Sequence, residues 1–371
     1  MRAMKPPRFH ATPAYPLDDP ALRDLLARTP LPGALSVTLE REPSFGAGVL
    51  DAQRHDVVAV RDTDQTIVAL GSRCERTVWL NGQVATVAYL GDLRVLPSYQ
   101  PSAGRILIEG YRYMEQLTKL RPTAATYTAI FEDNAPARRT LVGGRAGLPQ
   151  YLDVGRLHCP VLLVHPWTRC PTSPRYAFRA ANAADFPVIA DFLNNTFRHR
   201  NLAPVHTAED FSAGQRWPGL KAEDFLTVWE GETLVGCVAV WDLRACRQIR
   251  LQNYCGWLHY ARPILSGLLL ALGWQRLTPP GELVPAAFAS FLATANQDVA
   301  LGRLLLRHAR HAAAQRGISL LFTCLHAGDP LLPALKGWLA IPTFGRLYEV
   351  SFDGQASLSV QRPPHVEAAL L

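Results

Sequence analysis

The chain is poor in the features that most directly give a function away. Its seven cysteines are odd in number and include no C-x-x-C pair. That excludes a zinc ribbon and a disulfide framework, and leaves the cysteines as scattered small hydrophobes of a reducing compartment. No tract of five consecutive basic residues occurs, so there is no dedicated nucleic-acid arm. The opening decapeptide M-R-A-M-K-P-P-R-F-H lacks the apolar core of a signal peptide. The longest apolar run, 263–274, is too short to span a bilayer. Eleven histidines show no metal spacing. His308 and His311 share a helix with Arg307 and Arg310, which marks a basic exposed face, not a ligand pair. Neither G-x-x-x-x-G-K-[ST], nor G-x-S-x-G, nor a dinucleotide fingerprint is present. The expectation is a cytoplasmic protein with no metal and no membrane partner.

What is present is a large apolar fraction, 48% of 371 residues, enough for two cores at about 150 residues per domain. The formal net charge of +7 suits an anionic ligand.

One stretch organises the rest: Y-L-G-D-L-R-V-L-P-S-Y-Q-P-S-A-G-R-I-L, residues 89–107. An apolar strand over 84–95 runs out at Pro97, a turn with Gln100, Ser102, Ala103 and Gly104 follows, and a helix opens at about Arg105. A small-residue turn at a helix start leaves backbone N–H groups pointing one way, with the positive helix end behind them. Such a turn can hold phosphate oxygens; an ordinary strand-to-helix connection has the same outline.

Around that stretch, the pattern predicts hairpins over 57–70 and from 77 through Asn81-Gly82 onward, because both turn residues tolerate positive φ. It predicts a strand over 126–131, a short helix over 135–142 closed by Gly143-Gly144, and a strand over 157–164. Residues 1–16 look irregular. The Pro-rich segment 166–175 is the candidate linker between a first domain, 1–165, and a second, 176–371.

A similar order then returns: a helix over 180–197, a hairpin over 225–241, an apolar run over 284–293, a helix to Arg316 and strands at 319–325 and 348–352. Gly104-Arg105-Ile106-Leu107 and Gly302-Arg303-Leu304-Leu305 hold matching places, as do Leu148-Pro149-Gln150-Tyr151 and Ile341-Pro342-Thr343-Phe344. An apolar insertion near 249–283, expected to be helical, interrupts the second copy. It reads either as packing between the halves or as a lid or cleft wall.

A strand ending V-x-P, then Q/R-x-x-G-x-G/A opening a helix, then a strand followed by N-x-x-A, resembles the GNAT superfamily of acyl-CoA N-acyltransferases. The resemblance implies an α+β chain of two tandem GNAT-like domains, each a mixed, mostly antiparallel central sheet flanked by helices. It implies acetyl-CoA, or another acyl-CoA, as co-substrate. By the resemblance, Val95, Leu96, Gln100, Ser102, Ala103, Gly104 and Arg105 would hold the cofactor, with Asn134 and Ala137 of N-x-x-A beside the pantetheine arm. The first turn is about one residue short of the family pattern. In the second copy Gln297-x-x-Ala300-x-Gly302 has the right spacing, but Asp298 brings a negative charge to the phosphate position and no N-x-x-A follows. The first copy is therefore the expected cofactor site.

Acyl transfer needs a neutral amine against the thioester, a route for its proton and a donor for the oxyanion. Asp92 stands where the family often holds a working carboxylate; paired with Arg94 it could equally face solvent. The aromatic acid of the family is absent, since Leu141 occupies its place, and Tyr151 is the displaced candidate. Tyr127, Glu132 and Asp133 lie near the same cleft, with core and exposed-loop roles as the plainer readings. The acceptor would be a small-molecule or peptide amine. Two other functions fit the same architecture: an aminoacyl-tRNA-dependent transferase and a non-catalytic acyl-CoA-binding module.

Overall fold

A computed structural model describes residues 8–33, 35–358 and 361–371. The first half runs β1 (Phe9–Pro13), α1 (Asp19–Ala27), β2 (Leu35–Glu40), β3 (Arg54–Asp62), β4 (Ile67–Leu80), β5 (Gln83–Val95), α2 (Ala103–Leu120), β6 (Thr126–Phe131), α3 (Ala135–Leu141), β7 (Gln150–His158) and β8 (Val161–Leu163). The second runs β9 (Ala177–Ala180), α4 (Phe186–Phe197), β10 (Ala203–Pro204), α5 (Ala208–Ser212), β11 (Phe225–Glu230), β12 (Thr233–Trp241), β13 (Gln248–Tyr254), α6 (Trp257–Ala271), β14 (Ala286–Thr294), α7 (Val299–Gln315), β15 (Leu320–Phe322), β16 (Leu325–His326), β17 (Ala340–Ile341) and β18 (Phe344–Ser351). The architecture is α+β.

Two sheets dominate. The first has the order β1-β3-β4-β5-β6-β18-β7-β16, with β10 added on β4; the second has the order β17-β8-β15-β14-β12-β11-β9. The two halves exchange strands. The late strand β18 lies between β6 and β7 of the first sheet, and the early strand β8 takes the corresponding place between β15 and β17 of the second. The single strand expected over 157–164 is thus two strands in different sheets. Pro160 separates them, since it can donate no ladder hydrogen bond. The segment 166–175 carries no helix or strand, yet β8 and β9 on either side of it share a sheet.

Other expectations change in the same way. The two hairpins share one fourteen-residue strand, β4, because cross-strand pairing to β3 and β5 carries it through the polar stretch Ser72–Arg76. Ala180, expected to open a helix, instead ends β9, which pairs with β11, and α4 begins only at Phe186. Of the stretch 1–16, residues 1–7 lie outside the described residues and 9–13 pair with β3 as β1.

Each half carries the same two irregularities. In the first, β5 and β6 are parallel but registered only at Ala88↔Thr126 and Tyr89↔Tyr127. Thr128 donates to the Leu90 carbonyl at 2.7 Å, and beyond that point the strands splay. In the second, β14 and β15 register at three pairs, Ala286 to Phe288, and then part. Just past each split sits a bulge with a left-handed residue: Asp92 (φ 56°) and Phe291 (φ 56°). A bulge inserts one unpaired residue and re-aims its side chain.

Candidate functional site

The face of the first sheet turned toward the second half is polar and buried. His55 of β3, Ser72, Cys74 and Arg76 of β4, Tyr89 and Asp92 of β5 and Tyr127 of β6 share it, because facing residues of adjacent strands point the same way. Across from them lie Arg41, Arg247 and the segment 368–370. Arg41 donates from Nη2 to both Asp92 oxygens at 2.8 Å, and the Ser72 hydroxyl donates to Oδ2 at 2.7 Å. Arg247 donates to the carbonyls of Gly48 (2.6 Å) and Ala369 (2.9 Å). Arg76 donates to the Tyr127 hydroxyl (3.0 Å) and the Leu370 carbonyl (2.9 Å).

These contacts set the charges. Burial alone would raise the Asp92 carboxyl, but Arg41, Arg247 and the Ser72 hydroxyl outweigh it and hold the group far below the usual carboxylate range. Burial, with Arg41 beside it, lowers Arg247 to about 10. Burial also lowers His55 to about 4, so its ring is neutral at physiological pH; its Nε2 is buried and unpartnered. A carboxylate held this firmly ionised is a poor proton acceptor. Asp92 anchors Arg41 at the bulge; it neither faces solvent with Arg94 nor stands free as a base.

Tyr151 is elsewhere. Its hydroxyl bonds that of Tyr111 under α2, and its ring packs edge-on against Tyr348 at 5.9 Å. That core includes Leu90, Leu107 and Met114, on the α2 side of the sheet, opposite the side that carries Asp92. Burial, then Tyr111, drives its hydroxyl well above the ordinary tyrosine value. The two expected catalytic side chains are therefore on opposite sides of one sheet and do not meet. Glu132 is held ionised by Arg156 hydrogen bonds at 2.8 and 3.1 Å, and Asp133 is exposed.

The turn before α2 is not the open loop expected from its small residues. Pro97–Ser102 winds as a 3-10 turn straight into α2, which begins at Ala103, not Arg105. Leu96 donates its N–H to the Val68 carbonyl, and Val95 accepts from the Gln100 side chain at 3.2 Å. Ala103 N–H goes to the Gln100 carbonyl, and the Ser102 side chain does not cap the helix. Arg105 is exposed beside them. Asn134 accepts from Ala137 N–H at 3.3 Å, so it caps α3. A residue that sequence reasoning missed sits over the turn: a β-carbon on Gly104 would lie 2.5–2.6 Å from the Arg145 guanidinium. Arg145 is exposed, has no ion-pair partner among the described residues, and stands at the positive end of α2. A cation there is unfavourable unless an anion comes between. Arg138 and Arg139 lie close by in sequence, and no acidic residue occurs over 135–152.

The matching region of the second half is filled. Asp298 Oδ1 accepts from Ala300 N–H (2.8 Å) and Leu301 N–H (3.1 Å), the amides an anion would use. Gly302 packs against Leu331 and Ala334. Glu367 accepts the Phe291 bulge N–H at 3.0–3.1 Å and is paired with His365 at 2.9 Å. Only a gap of about 10 Å³ remains among Ala289, Leu292, Cys324, His365 and Glu367.

A cavity of about 500 Å³ opens beside the strap 46–52, lined by Gly46, Ala47, Val49, Pro218, Asp242 and Cys246. The strap separates it from Arg41, whose side chain would touch a β-carbon on Gly48. Among the described residues no group of three or more His, Cys, Asp and Glu is arranged to hold a metal.

No protein-family model matches the chain, and no curated protein matches it. Solved structures do. Saccharomyces cerevisiae N-myristoyltransferase with bound myristoyl-CoA is 10% identical with a TM-score of 0.60, covering 92% of this chain and 82% of that one. A GCN5-related N-acetyltransferase from Sphaerobacter thermophilus is 13% identical with a TM-score of 0.56, covering 96% and 100%. The glucosamine N-acetyltransferase region of a fungal β-N-acetylglucosaminidase is 12% identical with a TM-score of 0.61, covering 93% and 38%. The chain shares a GNAT-like fold with these structures across nearly its whole length.

Proposed function

We propose that the chain is an N-acyltransferase that takes an acyl group, most simply acetyl, from coenzyme A and passes it to an amine. In the reaction the amine nitrogen bonds the thioester carbonyl carbon, the carbon–sulfur bond breaks, and the amine proton leaves as the thiolate is released. The observation that carries this reading is the contrast between the halves. Both have the splayed strands and the bulge, but only the first has a helix start without a side-chain cap, under an arginine with no ion-pair partner among the described residues. The pyrophosphate would lie at Gly104 and Arg105 beneath Arg145. The pantetheine arm would run into the split between β5 and β6, and the acceptor would approach from the strap side.

Calorimetric titration with coenzyme A tests the placement. Arg145→Ala should weaken binding about 10-fold, the size of one lost charge-assisted contact. Equal affinity in the variant would remove Arg145 from the site. Failure of the wild type to bind coenzyme A or any acyl-CoA would sink the acyltransferase reading.

A further inference from the structure

The apolar insertion, expected as helix over 249–283, begins instead as β13, which pairs with β2 of the first half, and then runs on as α6, a surface helix with an uncovered apolar face. No residue of α6 is buried. It is attached through Leu258 and the neighbouring Leu277 to the small core of Leu251, Tyr254 and Val284. Trp257, Tyr260, Ile264 and Leu268 follow one another at helical spacing and so form one outward stripe. All four are exposed, Tyr260 at 82% and Ile264 at 78%. Leu272 continues the stripe, and exposed Trp167 joins it, lying within 3.9 Å of where a β-carbon on Gly273 would stand. Neither packing between the halves nor a cleft wall describes this face.

Two observations say what covers it. The first is charge. No Asp or Glu occurs between Asp242 and Glu282, while Arg276 lies just beyond the helix; Arg262, on the helix, turns inward over the Tyr254 ring at 5.7 Å. Arg169, two residues from Trp167, is exposed with no ion-pair partner among the described residues; Arg276 is half engaged, 3.4 Å from Glu282. The second is size. A fifteen-residue helix offers a strip roughly 20 Å long and 10 Å wide, the narrow form of a helix that lies along an interface. Aromatic rings and aliphatic side chains bordered by arginines, with no acid on the helix itself, are what an interfacial helix presents to lipid. We propose that α6 and Trp167 dock the protein onto an anionic bilayer surface, with the stripe in the headgroup boundary and the arginines toward the phosphates. Among the described residues no helix is long and apolar enough to cross a membrane, so the proposed contact is peripheral. This does not depend on the acyltransferase reading, although it runs against the expectation of no membrane partner.

The test is co-sedimentation of the full chain with phosphatidylcholine vesicles, with and without phosphatidylserine. The wild type should sediment with the anionic vesicles, less so as salt is raised, and its tryptophan emission should shift to the blue. Ile264→Glu and Leu268→Glu should each cut the bound fraction about 10-fold with the unfolding midpoint unchanged, since both side chains are already in water. Arg169→Gln should reduce binding to the anionic vesicles only. A wild type that stays in the supernatant with both vesicle types overturns the proposal. So does Ile264→Glu binding as well as wild type, or a wild-type dimer that Ile264→Glu converts to monomer without any vesicle binding.

Discussion

At two matched bulges this molecule places opposite side chains. Asp92 meets Arg41 and Ser72 in a buried polar cluster; Phe291 packs on Trp217 at 5.2 Å and Phe225 at 5.3 Å. The backbone is the same in both, with a left-handed residue just past a parallel split. The difference is what fills the space the split creates. In the second half it is the chain itself: Glu367 on the bulge amide, Asp298 on the helix start, Leu331 and Ala334 on Gly302. In the first half the helix start carries no side-chain cap and faces a cation. A duplicated scaffold can keep one copy open and turn the other into structure, because fold and site are separable.

The sharpest way to break the comparison is at the bulge pair. Arg41→Met leaves the Asp92 carboxylate buried without its partner and should cost about 3–5 kcal/mol in denaturant unfolding. Adding Asp92→Asn should recover part of the loss. A cost under about 1 kcal/mol would mean that the pair behaves like a surface ion pair and does not organise the cluster.

A smaller effect is expected from pH. His55 has a folded-state value of about 4 against 6.5 when unfolded, chiefly from burial. The unfolded chain therefore binds the extra proton first. The stability tied to neutral His55 is complete above 6.5 and drains away as pH falls toward 4. The urea midpoint of the wild type should drop over that window more steeply than that of His55→Gln. Parallel profiles would show that His55 is not held neutral by the fold.

The smallest effect belongs to the second helix start. Asp298→Ala removes a cap and should cost about 1 kcal/mol of stability. Coenzyme A titration should be unchanged; a gain in affinity would mean that the second turn is a masked cofactor site, and the contrast between the halves would fail.

Much of the frame was legible in the residues. The Asn81-Gly82 turn, the strand ending at Pro97, the helices around Gly104 and Gly302 and the repeat itself all came from signals acting over a few neighbouring positions. The cluster was not legible. Arg41 reaches Asp92 across 51 positions, and Arg76 reaches the Leu370 carbonyl across 294. Asp298 was the exception, a local charge whose meaning could be read before its cap was seen. Tyr151 misled because a position on the strand says nothing about which side of the sheet a hydroxyl will share with Tyr111.

Two strand–turn–helix units, and where they lie, could be read from the residues, because turn chemistry and hydrophobic period are properties of short windows. Which unit stays open, that β8 and β18 trade sheets and that α6 stays on the surface emerged from the folded chain alone. Those outcomes depend on which distant segments exclude water from one another, and burial is a property of the assembled chain.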